Sequence, residues 1–251
     1  MLNLLNKALL IALLPLALSC SYLPEPLEQE EQLHIEETGD YIALRGNEVD
    51  PSLAGIIFYP GGLVDPHSYI NSLDELAINH KRLVVIVKSE ANLSILNTQK
   101  GSVVQSSFPE VGKWVIGGHS LGGSVTCMDV AKNPEKYKGI FMLASYSVDN
   151  LSDLDLPVIS ITGTNDKVLD WTKFNGNQSN LPPAITVIDT TDIRNNSTSA
   201  STVYYSIEGA NHAQFGSYGP QDGDGTPTIS PKTQQSLVID ALETFLITNH
   251  L

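Results

Sequence analysis

Five short apolar runs set the architecture: Gly55–Tyr59 (GIIFY), Leu83–Val87 (LVVIV), Trp114–Gly117 (WVIG), Gly139–Ala144 (GIFMLA) and Val158–Thr162 (VISIT), none with a charged residue. A strand with one wet face alternates apolar and polar residues, whereas an unbroken run needs cover on both faces. β-Branched side chains favour strand over helix in such runs. Tyr41–Arg45 and Val203–Ile207 (VYYSI) read as further strands. Between them the spacing turns helical. Asp65–His80 lines up Ile70, Leu73, Leu76 and Ala77, Leu121–Lys132 stops before Pro134, and Thr233–Thr248 gathers Leu237, Val238, Ala241, Leu242 and Phe245. The alternation predicts an α/β domain over residues 41–251, with a mostly parallel central sheet and helices on both faces. Thr190–Ser201 and Gly216–Thr226 are polar or glycine-rich and read as surface loops.

The first forty residues have a different character. Met1–Ser19 carries one charge, Lys7, and an apolar run from Ala8 to Leu18 that is short for a bilayer span and suits an export signal. The run ends in Ala17-Leu18-Ser19-Cys20, which resembles a bacterial lipobox. That resemblance implies cleavage before Cys20, lipidation of Cys20 and an exported, membrane-anchored protein; plain secretion is the alternative. Ser21–Asp40 holds seven acidic residues and no Lys or Arg, the composition of an extended tether.

The sharpest motif is Gly117-Gly118-His119-Ser120-Leu121-Gly122-Gly123, a G-x-S-x-G between an apolar strand and a helix. Ser120 would sit on a tight turn at the carboxyl end of the sheet, where helix N–H groups favour developing negative charge. A serine hydroxyl needs a base at neutral pH. On such a sheet the order along the chain is serine, acid, histidine. Of the two histidines after Ser120, His250 is penultimate, whereas His212 follows the strand VYYSI. Asp166 stands directly after VISIT, 46 residues from either partner. Asp170 is the reserve acid, and Asp155 lies at the wrong end of the strand. His119 is expected to point away from its neighbour, and His67 to stand near the site mouth. The oxyanion donors are expected to be the N–H of Leu121 and one from the loop after GIIFY, at Gly62 or Leu63.

Together these stretches resemble the α/β-hydrolases, and within them the small bacterial α/β-hydrolase fold-5 group. The likeness is carried by Tyr59-Pro60-Gly61-Gly62-Leu63-Val64-Asp65-Pro66, by Gly117–Gly123, and by Gly209-Ala210-Asn211-His212-Ala213-Gln214-Phe215-Gly216, running on to Gly225. The resemblance implies Ser120 as nucleophile and His212 as base.

Charge narrows the partners. The chain has 28 acidic residues against 14 basic ones. Subtracting Lys7 and the seven acids before Tyr41 leaves 21 acidic and 13 basic residues, near −8. This disfavours nucleic acid and an electrostatic grip on anionic lipid. Membrane contact is expected only through the N-terminal lipid. Asp222-Gly223-Asp224-Gly225 lacks the glycine and glutamate of a calcium loop, having Pro227 and Thr233 there. No Cys/His cluster suits zinc, so neither metal nor cofactor is expected. The gap where a lid would be inserted, Ser145–Leu156, is twelve residues long, which predicts an open site without a large cap. The expected function is a serine hydrolase, a carboxylesterase acting on small or accessible acyl esters. A dienelactone-type or thioester hydrolase, or a non-catalytic surface lipoprotein using the fold as a binding module, are the alternatives.

Overall fold

The computed structural model describes residues 22–27, 31–196 and 201–251; the expected export signal and the expected lipidation site at Cys20 lie outside the described residues. Among the described residues, nine strands form one sheet: β1 (His34–Glu37), β2 (Tyr41–Arg45), β3 (Gly55–Tyr59), β4 (Val84–Val87), β5 (Trp114–His119), β6 (Gly139–Leu143), β7 (Val158–Gly163), β8 (Ala184–Val187) and β9 (Thr202–Ile207). Their order is β1-β2-β4-β3-β5-β6-β7-β9-β8. The pairs β1/β2 and β2/β4 are antiparallel and all others parallel. Strands β3 to β7 are buried along their whole length, as their unbroken apolar runs require.

The helices are α1 (Ile70–Ile78), α2 (Lys100–Ser107), α3 (Leu121–Lys132), α4 (Trp171–Gly176), α5 (Thr190–Asn196) and α6 (Pro231–Thr248). Two apolar clusters flank the sheet. One holds Leu73, Leu76, Leu242 and Phe245 of α1 and α6; the other holds Val125, Cys127 and Val130 of α3. The segment between β6 and β7 contains no helix or strand, so no large cap stands over the carboxyl edge of the sheet.

Three expectations are corrected. Asp65–His80 is not one helix. Asp65 caps a 3-10 turn at Pro66–Tyr69 by accepting from His67 N–H at 2.9 Å, and α1 starts only at Ile70. Part of the loop Thr190–Ser201 is helix α5, held by Ile193, which is fully buried in the core. Its first turn is capped by Asp189, which accepts from Asp192 N–H at 2.9 Å.

The acidic segment is not an extended tether along its length. Residues 34–37 form an edge strand whose charges are paired, Glu36 with Arg45 at 2.9 Å and Glu37 with Lys88. Nearer the start, residues 22–26 are strapped onto the domain. Tyr22 N–H donates to Leu63 O at 2.9 Å, Asp65 N–H to Tyr22 O at 2.9 Å, Glu25 N–H to Ser217 O at 2.8 Å, and Asn71 Nδ2 to Pro26 O at 2.8 Å. The Tyr22 and Tyr218 rings lie 5.3 Å apart. Backbone donors and acceptors supply this docking, so a polar composition does not prevent it.

Candidate active site

Ser120 joins β5 to α3 with φ 53° and ψ −121°. A non-glycine residue held there costs on the order of 1–3 kcal/mol and persists only where its surroundings enforce it. Ser120 N–H donates to Leu143 O at 2.9 Å, and the Ser145 hydroxyl donates to Ser120 O at 2.7 Å. The flanking glycines are needed for space. A methyl group on Gly118 would meet the Gly122 carbonyl carbon at 2.5 Å, and one on Gly122 would collide with the Tyr59 and Pro60 carbonyls. The G-x-S-x-G pattern is therefore the condition for packing the turn against the end of β3.

Asp166 follows β7 and His212 follows β9, neighbouring strands that end on the edge where Ser120 stands. His212 Nδ1 lies 2.8 Å from Asp166 Oδ2, and both side chains are buried. The other carboxylate oxygen, Oδ1, accepts from Val168 N–H at 2.9 Å and Leu169 N–H at 2.8 Å, which fixes the carboxylate plane. An imidazole bonded to a carboxylate through Nδ1 keeps its proton there and offers Nε2 as the base. Ser120, Leu121 and His212 line one cavity of about 230 Å³, with Ala144, Val168 and Leu169 as apolar wall. Asp170 also borders it. Its carboxylate, however, caps α4 by accepting from Lys173 N–H at 3.1 Å, and it is paired with Lys173 rather than with a histidine.

Of the remaining histidines, His119 is buried beneath the turn. Its Nδ1 lies 2.8 Å from the Tyr69 hydroxyl, which accepts from Gly61 N–H at 3.0 Å. Burial pushes the Tyr69 hydroxyl pKa up, so it stays protonated and donates to His119. Burial and the neighbouring His212 hold the His119 imidazole well below its ordinary range, so it is neutral. The His119 and His212 rings lie 4.5 Å apart. His67 does not reach the cavity: it pairs with Asp65 at 2.7 Å and Glu37 at 3.1 Å. His250 is remote, its carbonyl accepting from Lys113 ahead of β5, at the opposite edge.

The oxyanion expectation is corrected in one part. Leu63 cannot serve, because the turn at Glu90–Asn92 presents the Asn92 carbonyl to its N–H at 2.8 Å. Gly61 N–H is committed to Tyr69. Gly62 is the candidate left in this loop, and it packs against Leu121: a methyl group on it would lie 3.1 Å from Leu121 Cδ2. Gly62 and Leu121 thus come together beside Ser120.

One residue of the site was not legible as such. Asp224 accepts from Ala213 N–H at 2.9 Å through Oδ2 and from Lys167 N–H at 3.3 Å through Oδ1. Ala213 follows His212 and Lys167 follows Asp166, so Asp224 ties the two loops together. The only sequence signal for it is the Asp222–Gly225 run, whose spacing suits a turn rather than a metal loop. Asn211 extends the brace, donating through Nδ2 to Gly225 O at 2.9 Å. Asp224→Ala should lower kcat at least ten-fold with far-ultraviolet circular dichroism unchanged, since an imidazole displaced by a fraction of an ångström loses much of its rate advantage.

A serine in a strained strand-to-helix turn, followed along the chain by a buried aspartate and its histidine partner, defines a class: hydrolases built on a parallel sheet covered on both faces. The chain belongs to the α/β-hydrolase family, whose sequence model matches residues 55–236, more than half of its length. Among solved structures it resembles MGS-MChE2, an α/β-hydrolase enzyme from the metagenome of sediments from the lagoon of Mar Chica, Morocco. The identity is 13%, the TM-score 0.55, and the match covers 84% of this chain and 98% of that one. It also resembles a predicted CIB-like hydrolase of Thermoplasma acidophilum, at 14% identity and TM-score 0.54, with the same two coverages. At such identities the likeness speaks for the fold. No curated protein sequence matches the chain.

Proposed function

We propose that the protein is a serine carboxylesterase acting on small or accessible acyl groups. The observation that carries this is the buried Asp166–His212 pair opening onto the same cavity as the strained Ser120. His212 Nε2 takes the proton as Ser120 Oγ attacks the acyl carbon. The Leu121 and Gly62 N–H groups receive the charge that develops on the carbonyl oxygen, an interaction worth a few kcal/mol per donor. The ester C–O bond then breaks, and the departing alkoxide takes the proton from His212. Water, deprotonated by His212, attacks the acyl-enzyme, releasing the carboxylic acid and restoring the Ser120 hydroxyl. Asp166 stabilises the imidazolium in both halves and is not itself protonated.

The cavity size supports a short acyl group: about 230 Å³ lies below the roughly 300–1,000 Å³ that holds a drug-sized ligand. Export and lipidation at Cys20 complete the proposal, supported by the Ala17–Cys20 sequence after a short apolar run. Turnover of p-nitrophenyl acetate and butyrate by wild type, absent from Ser120→Ala, is the expected result. A panel of esters, thioesters and lactones of matched acyl length separates this reading from a thioester or dienelactone-type hydrolase. Full biological activity of Ser120→Ala in the host would instead show a binding module.

A further inference from the structure

A lipid anchor at Cys20 was expected to hold the domain away from the membrane on an acidic stalk. The strap at residues 22–26 changes that geometry. Tyr22 is bonded on both sides to the loop after β3, through Leu63 and Asp65. Glu25 is bonded to Ser217, five residues beyond His212. Both loops leave the carboxyl ends of parallel strands, the edge that carries Ser120 and His212. Leu63 also adjoins Gly62, which faces Leu121. Two residues of extended chain span at most about 7 Å, so Cys20 attaches within that reach of the Tyr22 backbone. The strap itself presents apolar side chains outward, Leu23 at 68% exposure and Leu27 at 38%.

We propose that the catalytic edge of the sheet faces the bilayer, and that the substrate is a short-acyl ester presented at the membrane surface. This rests on the esterase reading and on lipidation of Cys20. Two or more acyl chains at Cys20 anchor stably. The docked strap leaves no slack between anchor and domain, so the edge that receives the strap is the edge brought to the lipid. The negative domain gains nothing from anionic headgroups, so the orientation is imposed by covalent attachment and the outward leucines. The cavity of about 230 Å³ lies on this edge, so a scissile bond standing at headgroup level comes within reach of Ser120.

The test uses the full-length chain, produced in a diderm bacterium and reconstituted in phosphatidylcholine vesicles. A fluorophore is placed at Val148→Cys, exposed in the segment after β6 on the catalytic edge, or at Glu110→Cys, exposed ahead of β5 on the opposite edge. The native thiol of Cys127 is buried and does not compete. Quenching by a nitroxide-headgroup lipid should be several-fold stronger at position 148 than at 110. Inserting about 24 Gly/Ser residues between Ser21 and Tyr22 adds an r.m.s. span of roughly 27 Å and should abolish that difference. The same insertion should reduce turnover of a butyryl ester carried on a vesicle lipid at least ten-fold, while water-soluble p-nitrophenyl butyrate changes less than two-fold. Equal quenching at the two positions, or lipid-borne turnover indifferent to the insertion, overturns the proposal. Cys20 without acyl chains by mass spectrometry overturns anchor and orientation together and leaves the esterase reading standing. Asymmetric quenching with neither ester turned over supports the orientation and overturns the esterase reading with its substrate.

Discussion

Asp166→Asn is expected to keep the fold and to lower kcat by about 10⁴-fold. The carboxylate has two jobs, performed by different atoms. Oδ1 accepts from two backbone N–H groups, and Oδ2 holds His212 Nδ1 at 2.8 Å. An asparagine can keep the first by turning its carbonyl oxygen toward Val168 and Leu169, which leaves its NH₂ facing Nδ1. The imidazole must then accept at Nδ1 and carry its proton on Nε2, where the base is needed. The effect therefore falls on kcat, with the thermal midpoint nearly unchanged. Asp170→Asn is the control, since asparagine caps a helix about as well as aspartate. Its turnover should stay within a few-fold of wild type; a reversal of the two variants would move the acid to Asp170.

The largest expected loss of stability lies far from the site. Arg82 is fully buried and bonded to Glu243 through both Nε at 2.7 Å and Nη2 at 2.8 Å, with further bonds to the Ala54 and Leu251 carbonyls. It joins the entry of β4 to the last turns of α6. Arg82→Ala strips the Glu243 carboxylate of its guanidinium and leaves it the His80 imidazole, Nδ1 at 4.0 Å, in a nearly dry setting, which costs about 3–5 kcal/mol. Replacing both residues by methionine removes the stranded charge and should recover most of that loss. Urea denaturation of the two variants decides it, and equal destabilisation of single and double variants would show that packing rather than charge is responsible.

The sequence was legible where burial and pattern coincide. Strands β3 to β7 lie inside the sheet, and their apolar runs record that. Strand β1, HIEE, is exposed along its length and held by backbone pairing and ion pairs, so no hydrophobic signal marks it. Strand β8 at the other edge is also mostly exposed. Helix α5 is held by the buried side chain of Ile193, within a Thr- and Asn-rich stretch. The strap has the composition of a tether because composition counts side chains, whereas its docking uses the peptide groups of Tyr22, Glu25 and Pro26. In the site, Ser120, Asp166 and His212 were legible because each follows a strand. Asp224 was not, because its partner Lys167 is 57 residues away and only the folded loops bring the two together.

The measurement that bears most directly on the catalytic reading is covalent capture of Ser120. The full-length protein is treated with a fluorophosphonate, digested, and the adduct mapped by mass spectrometry. The predicted result is one modified peptide carrying the label on Ser120, absent from Ser120→Ala and formed at least a hundred-fold more slowly in His212→Ala. Labelling that is absent from the folded wild type, or that persists undiminished in Ser120→Ala, would contradict the proposed mechanism.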